Sequence, residues 1–285
     1  MVILINFRLV KLATLRNMEP KTPMKSNWLQ FKNVEIRIGE ESIIKDLSLE
    51  LALNEHCAVI GPNGSGKSTL INTIGRLFYP VVKNGSYLKI FDNELINIWD
   101  MRKNVAFVKS DIDLRISRSQ KVKDILISGF YGTIGINKNT IPLDIYESKA
   151  SKILDELNLA QISHKKYSEL SDGQKRKVLI ARAITNDPKV LVLDEPTAML
   201  DLKSSYDIIK LLSNLANTNT TLLYTTNTLD NIIPETQRVI FIKQGVIISS
   251  GTPDKMLNSE SLSKLFDTKI KVYRHDNYWR STPNY

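Results

Sequence analysis

The length, composition and charge of the chain exclude several classes of protein. Its 285 residues are 42% hydrophobic, which is typical of a globular protein with a sizeable core. The longest apolar runs are much shorter than the roughly 20 residues of a membrane-spanning helix, so we expect no such helix. The net charge of +9 is scattered along the chain, and no basic stretch carries interleaved aromatic residues, which argues against a specific nucleic-acid partner.

The two ends of the chain differ in composition from its middle. Residues 1–26 are basic and end near a proline and a serine, and we expect a mobile leader there. An organelle transit peptide, or a true start at Met18 or Met24, are the alternatives. Residues 252–285 predict a short, aromatic, strand-like tail that packs on the core or on a second subunit.

Residues 27–251 predict one α/β domain. The stretches "LQFKNVEIRI" and "IIKDLSLEL" alternate apolar and polar residues around a turn, which predicts an antiparallel β subdomain. Residues 111–168 space their apolar side chains at three and four, which predicts an inserted helical subdomain. The remaining apolar strands alternate with helices and predict a mostly parallel sheet that is covered on both faces.

The stretch "GPNGSGKST" follows an apolar strand and precedes an amphipathic helix. It consists of Gly61, Pro62, Asn63, Gly64, Ser65, Gly66, Lys67, Ser68 and Thr69. Its glycines let successive backbone N–H groups point at phosphate oxygens, and the helix adds the positive end of its dipole. We expect Lys67 to reach the β- and γ-phosphates and Ser68 to bind Mg²⁺.

The stretch "KVLVLDEP" predicts a second part of the same site. Four apolar residues deliver Asp194 to the carboxyl end of a buried strand, where it can hold Mg²⁺ through water. Glu195 follows directly and can polarise an attacking water molecule. Either carboxylate alone could be a charge at a helix N-terminus, but the phosphate loop upstream favours the nucleotide site.

The stretch "LSDGQ" stands just before a predicted helix. Ser171, Gly173 and Gln174 form an anion-binding arrangement there, although the chain already carries one. A second such arrangement makes sense if it contacts the γ-phosphate that another subunit holds. The alternative is that Ser171 is an ordinary helix N-cap.

In this order the motifs resemble those of the ATP-binding-cassette (ABC) ATPases, and they cover most of residues 28–251. The stretch "AMLD", which ends at Asp201, belongs to the same set. Two stretches, "EHCAVIGPNGSGKST" and "RSQKVKDILISGFYGTIG", are similar to the molybdate-type ATPases and their soluble relatives. The resemblance implies a P-loop NTPase core of the RecA-like type that binds ATP and Mg²⁺ and hydrolyses ATP.

The resemblance also implies an assembly. Two ABC subunits, identical or different, would pair head to tail. Each ATP would be held by the phosphate loop of one subunit, "GPNGSGKST", and by the signature of the other, which is the stretch "LSDGQ". Asp201 would link the two sites. A separate membrane permease would dock on the helical subdomain, and the chain would lie in the cytoplasm or on the inner face of the membrane. The alternatives are a soluble regulatory switch without transport and a nucleotide sensor that barely turns over.

Two positions depart from the family at the edges of the site. Near Ile38 the family has an aromatic residue that stacks on adenine, so we expect weaker or less base-selective binding unless Trp28 or Phe31 substitutes. At Ser110 the family has a glutamine that contacts the metal site and takes part in coupling to the permease. The serine side chain is too short to reach the metal site as glutamine does, although its neighbours Lys109 and Asp111 could compensate for the missing contact.

The third departure lies at the end of the strand "TLLYTT". Asn227 stands where the family has a histidine, while His56, His164 and His275 lie elsewhere and not at metal-ligand spacing. Asparagine can donate a neutral hydrogen bond to the γ-phosphate but carries no positive charge. We therefore expect hydrolysis that is real but slow, since Lys67, Asp194 and Glu195 are all intact.

The single cysteine, Cys57, excludes an internal disulfide and favours a reducing compartment. Its apolar surroundings in the sequence predict a small buried strand residue and not a reactive thiol.

Overall fold

The computed structural model describes residues 26–109, 111–136 and 142–284, so nearly all of the predicted leader and Ser110 lie outside the described residues. The strands are β1 (Asn27–Ile38), β2 (Glu41–Ala52), β3 (Cys57–Ile60), β4 (Tyr87–Ile90), β5 (Val105–Val108), β6 (Val190–Leu193), β7 (Thr221–Thr226), β8 (Arg238–Lys243), β9 (Val246–Gly251), β10 (Ile270–His275) and β11 (Tyr278–Pro283). The α-helices are α1 (Lys67–Ile74), α2 (Ile98–Asn104), α3 (Asp111–Arg115), α4 (Val122–Phe130), α5 (Asp144–Glu156), α6 (Asp172–Ala183), α7 (Leu202–Ala216), α8 (Pro253–Met256) and α9 (Ser259–Phe266). Single 3₁₀ turns occur at Ala160–Ile162, Tyr167–Glu169 and Leu229–Asn231.

A six-stranded sheet forms the centre of the molecule, in the order β5-β6-β7-β3-β8-β9. The first five strands of this order pair in parallel, and β9 pairs antiparallel with β8 at the edge. Ile60 pairs with Thr226 and Leu193 with Tyr224, so β3, β6 and β7 end at one edge of the sheet. The predicted α/β fold class, with a mostly parallel sheet, is confirmed.

The inner strands β3, β6 and β7 of the central sheet are buried on both faces, as their continuous apolar sequences require, whereas the edge strand β9 is mostly exposed. Alternate residues of β3 belong to different cores: Ala58 and Ile60 face one core, and Cys57 and Val59 face the other. The first core contains residues of α4, α6 and α7, and the second is completed by α1 and by an antiparallel sheet in the order β2-β1-β4. The predicted antiparallel β subdomain is confirmed.

The segment that was predicted to be helical contains α3, α4 and α5, and α4 packs on α5 and on α6. Residues 252–284 fold back onto the first core, where Leu262 and Leu265 of α9 are fully buried. The proposed domain boundaries at residues 26, 111, 168 and 251 stay predictions. Among the described residues, no helix is both long enough and apolar enough to cross a membrane.

Candidate nucleotide-binding site

The phosphate loop connects β3 to α1 in the shape that its glycines predict. Gly64 and Gly66 have φ angles of 76° and 103°, in the left-handed region that glycine adopts without strain. A side chain at Gly61 would lie 2.2 Å from the carbonyl oxygen of Ile242, so the loop can follow this path only with glycine there. The N–H of Gly245 donates to the carbonyl oxygen of Ser65 at 3.0 Å and ties the loop to the β8–β9 turn.

Lys67 lies under this loop, with only 4% of its side chain exposed. Its Nζ donates to the carbonyl oxygens of Gly61 at 2.8 Å and Pro62 at 3.0 Å. The same Nζ lies 3.2 Å from Oε1 of Glu195. The structure therefore brings together two of the predicted catalytic side chains, which are far apart along the chain.

Asp194 and Glu195 are held by a residue to which the sequence analysis gave no role. Thr225 is fully buried at the end of β7, and its Oγ1 donates to Oδ1 of Asp194 at 2.7 Å. The same Oγ1 accepts from the backbone N–H of Glu195 at 2.9 Å. Glu195 has a φ of 45°, which is uncommon for a residue with a side chain. One buried hydroxyl thus fixes both carboxylate residues at the edge of the sheet.

The only sequence signal for Thr225 was a small polar residue at a strand end. Its role depends on which strand lies next to β6, and the pairing of β6 with β7 supplies this neighbour. Spacing along the chain contains no such information, because Thr225 and Asp194 are 31 residues apart.

Asn227 lies beside the phosphate loop. Its Nδ2 donates to Oδ1 of Asn63 at 3.3 Å, and the pairing of β7 with β3 explains this contact. The preceding residue, Thr226, is buried, and its Oγ1 accepts from the N–H of Thr228 at 3.1 Å. The side chain of Asn227 therefore reaches the edge at which a phosphate chain would bind.

The signature residues cap a helix in the free chain. Oγ of Ser171 accepts from the N–H of Gln174 at 3.3 Å, and Oε1 of Gln174 accepts from the N–H of Ser171 at 3.1 Å. This is a reciprocal capping box at the start of α6. The N-cap role of Ser171 is therefore present in the structure, and the exposed end of α6 stays available to an anion.

Asp201 caps the neighbouring helix α7. Its Oδ1 accepts from the N–H of Ser204 at 2.8 Å, and its Oδ2 accepts from the hydroxyl of the same serine at 3.0 Å. These hydrogen bonds lower the pKa of the Asp201 carboxyl. A Cβ on Gly173 would lie 2.4 Å from Oγ of Ser204, so glycine permits the close approach of α6 and α7. Ser171, Gly173 and Asp201 line one surface cavity, and its described lining contains no residue of the phosphate loop.

The position expected to contact adenine carries no ring. Ile38 is 46% exposed at the end of β1. Trp28 and Phe31 are 1% and 2% exposed inside the second core, so neither side chain can stack on a base. The substitution by Trp28 or Phe31 that the sequence left open is therefore excluded.

Ser110, which was expected near the metal, lies outside the described residues. Next to it, Nζ of Lys109 donates to Oδ1 of Asn72 on α1 at 2.7 Å. Cys57 is fully buried in β3, and burial raises the pKa of its thiol. His56 is also buried, and its Nδ1 accepts from the N–H of Leu222 at 3.2 Å, so this histidine has a structural partner.

Known proteins share this sequence pattern and this fold. The family model described as "ABC transporter" matches residues 44–198. The chain belongs to the ABC transporter family. It is 32% identical over 223 residues to a phosphonates import ATP-binding protein of Haloarcula marismortui, across 75% of this chain and 80% of that protein. It is 28% identical over 249 residues to an uncharacterized ABC transporter ATP-binding protein of Bacillus subtilis, across 86% and 92% of the two chains.

A solved ATP-binding cassette of an ABC transporter, in its ADP conformation, superposes with a TM-score of 0.69. It is 25% identical, and the match covers 80% of this chain and 92% of that one. This ABC ATPase therefore has the function of the ATP-binding subunits of ABC transporters, which bind and hydrolyse ATP. The finer likeness to molybdate-type ATPases stays a prediction.

Proposed function

We propose that this ABC ATPase works as a dimer that hydrolyses Mg²⁺-ATP at two shared sites and drives a separate membrane permease from the cytoplasmic face. One observation carries the proposal. Lys67, Asp194 and Glu195 converge at one sheet edge, whereas Ser171 and Asp201 lie exposed on a different surface cavity of the same chain. A second subunit would bring its signature to the first subunit's phosphate loop.

The second subunit is proposed to be another copy of this chain, because the chain carries both halves of the site. A different ABC subunit is the alternative. Two copies related by a two-fold axis would place each phosphate loop against the other copy's signature, so the closed dimer would have two equivalent sites.

The residues present suit the metal. Ser68 is an exposed residue in the first turn of α1, and Asp194 keeps one carboxylate oxygen, Oδ2, that makes none of the hydrogen bonds described above. Hydroxyl and carboxylate oxygens are the ligands that Mg²⁺ prefers. When bound, the ion would neutralise charge on the β- and γ-phosphate oxygens.

Each side chain then has one task. Lys67 stabilises negative charge on the phosphates from its position beneath the loop. Glu195 accepts a hydrogen bond from the attacking water and orients it, and its contact with Lys67 yields to the phosphate as ATP enters. Thr225 keeps both carboxylate residues in position throughout. Because Asn227 offers only a neutral hydrogen bond to the γ-phosphate, we propose that hydrolysis is slow.

A cleft between α2, β5 and α4 supports the permease contact. Its described lining contains five cationic residues and no acidic one: Arg102, Lys103, Lys109, Arg115 and Arg182. Trp99 lies on the same wall with 62% of its surface exposed. An acidic segment with an apolar face, presented by a permease, would complement this surface.

Purification from membranes tests the proposal. The tagged full-length chain should be solubilised and isolated in mild detergent, and co-purifying proteins identified by mass spectrometry. A multi-span membrane protein at equal stoichiometry supports the permease assignment, and reversing the charge of Arg102 and Arg115 to Glu should release it. A purely soluble dimer that still hydrolyses ATP would contradict the permease and favour the regulatory switch, which the substitution at Ser110 also favours.

A further inference from the structure

The hairpin β10–β11 lies against the segment that follows Asn227. Tyr278 and Trp279 of β11 pack, partly buried, on the first core. The same strand contacts the 3₁₀ turn Leu229–Asn231, which begins two residues after Asn227. None of the motifs of the nucleotide site includes this hairpin.

One ion pair joins the hairpin to that turn. Nη1 of Arg280 lies 3.4 Å from Oδ1 of Asp230. The guanidinium is already held in place, because Nη1 also donates to the carbonyl oxygen of Trp279 at 3.0 Å and the group lies 5.6 Å from the centre of the Tyr278 ring. A cation that is fixed in this way loses less conformational entropy when it pairs with Asp230.

Hydrogen bonds from Asn231, the last residue of the turn, also connect it to the end of β7. Nδ2 of Asn231 donates to Oγ1 of Thr228 at 2.8 Å and to Oγ1 of Thr226 at 3.3 Å. Thr226 directly precedes Asn227, whose own side chain contacts Asn63 of the phosphate loop. Hydrogen bonds therefore bracket Asn227 from the turn on one side and from the phosphate loop on the other.

We propose that Arg280 is a positioning residue for ATP hydrolysis, through which the C-terminal hairpin holds the turn at residues 229–231 and thereby the side chain of Asn227. The inference rests on the proposed function, in which Asn227 contacts the γ-phosphate. A neutral amide interacts with the phosphate only through a short-range hydrogen bond and has no long-range Coulomb attraction to it. Its contribution therefore depends on preorganised geometry. The hairpin supplies that geometry without touching the substrate.

The chain offers a matched control on the same hairpin. Arg274 of β10 forms an ion pair with a different element: its Nη1 lies 3.0 Å from Oδ1 of Asp254 on α8. Arg280→Ala should lower kcat about threefold with KM for ATP unchanged, which is the size of effect that an exposed ion pair supports. Arg280→Lys should recover part of the loss, Asp230→Asn should reproduce it, and Arg274→Ala should leave kcat at the wild-type value.

A double-mutant cycle separates positioning from general stability. In an Asn227→Ala background, Arg280→Ala should cause no further loss of kcat, because the side chain that it positions is gone. Thermal unfolding of each variant measures its change in stability. If Arg280 acts by positioning, the changes in kcat should not parallel these changes in stability.

The outcomes discriminate between the two proposals. If Asn227→Ala leaves kcat unchanged, the proposed contact of Asn227 with the γ-phosphate is wrong. The proposed positioning of Asn227 by Arg280 is then wrong as well. If Asn227→Ala lowers kcat but Arg280→Ala does not, or lowers it equally in both backgrounds, only the inference about Arg280 is overturned. A loss in Arg274→Ala equal to that in Arg280→Ala would also overturn it, since the hairpin would then act only through stability.

Discussion

The phosphate half and the signature half of the nucleotide site are built in opposite ways. The phosphate half consists of the loop between β3 and α1, the first residues of α1, and side chains at the ends of β6 and β7. Two of its polar side chains are buried: Lys67 is 4% exposed and Thr225 is 0% exposed. The signature half consists of the exposed starts of two helices, and Ser171 and Asp201 satisfy their polar atoms by capping their own helices.

The difference teaches which half can act alone. A buried, cross-strand arrangement is preorganised before the substrate arrives, so we expect one chain to suffice for binding the phosphates. Two capped helix ends on an open surface bind an anion weakly until a second surface excludes water from them. We therefore expect ATP binding to depend on the phosphate half and hydrolysis to depend on both.

The largest expected effect comes from Glu195→Gln. The neutral amide can still accept a hydrogen bond from the attacking water but polarises it much less than a carboxylate and cannot take its proton, so phosphate release should fall by about a hundredfold or more. ATP binding should persist because Lys67 and the loop are unchanged, and an ATP-dependent dimer should accumulate in size-exclusion chromatography. Glu156→Gln, at an exposed position on α5, is the matched control. A Glu195→Gln protein that hydrolyses ATP at the wild-type rate would break the assignment of the phosphate half.

Ser171→Arg tests the signature half. The bulky cation at the start of α6 should block the partner's nucleotide, so most hydrolysis should be lost while ATP binding remains. Mixing this variant with Glu195→Gln should restore measurable phosphate release, because one site of the mixed dimer then contains a wild-type phosphate half and a wild-type signature. The absence of any restoration, with mixed dimers present, would contradict head-to-tail pairing of two copies.

Thr225→Val tests the buried support of the phosphate half. The substitution leaves Oδ1 of Asp194 and the N–H of Glu195 without their partner, so we expect a loss of about 1–3 kcal/mol in the free energy of unfolding. It should also lower kcat about tenfold, since the misplacement of a catalytic group is costly.

Thr221→Val is the control for that loss. Thr221 is also buried on β7, and its Oγ1 accepts from the N–H of Asn54 at 2.8 Å, away from the nucleotide. It should lose stability to a similar extent in chemical denaturation and keep its kcat. Equal kcat values in the two variants would remove Thr225 from the site.

Ile38→Tyr tests the position at which the adenine base is expected to stack, on the same subunit as the phosphate half. A ring at this half-exposed position should tighten ATP binding about tenfold, within the range of roughly 1–3 kcal/mol for base stacking. The wild-type chain should bind ATP and GTP with similar, weak affinities in titration calorimetry. A clear wild-type preference for ATP, with a dissociation constant in the low micromolar range, would show that Ile38 does not weaken ATP binding.

Asn227→His tests the weakest contact of the phosphate half and has the smallest expected effect. An imidazolium donates a charge-assisted hydrogen bond, roughly twice as strong as the neutral one of asparagine, so kcat should rise a few fold. Steady-state phosphate release measures it, with Asn217→His on the exposed end of α7 as the control. An unchanged or lower rate would contradict the expectation of slow hydrolysis in the native chain.

Most of the phosphate half could be predicted because its motifs are contiguous. A glycine-rich loop between a strand and a helix, and two carboxylates after an apolar run, predict a nucleotide site without any tertiary contact. The fold class followed from the same local patterns, since apolar strands that alternate with helices predict a parallel sheet. Whether Trp28 or Phe31 could replace the missing aromatic residue near Ile38 could not be judged in this way. The local sequence does not tell whether these two rings are exposed to a nucleotide or buried in a core, and the structure shows that they are buried.

The sequence by itself determined the motifs on which the proposed nucleotide chemistry rests, with Lys67, Asp194 and Glu195 as the predicted residues. Only the tertiary structure decided that Thr225 supports the two carboxylate residues and that the C-terminal hairpin lies against the turn after Asn227. The physical reason is the order of the strands. Each of these contacts joins elements that are adjacent in the fold but distant along the chain, and no local spacing or periodicity encodes that neighbourhood.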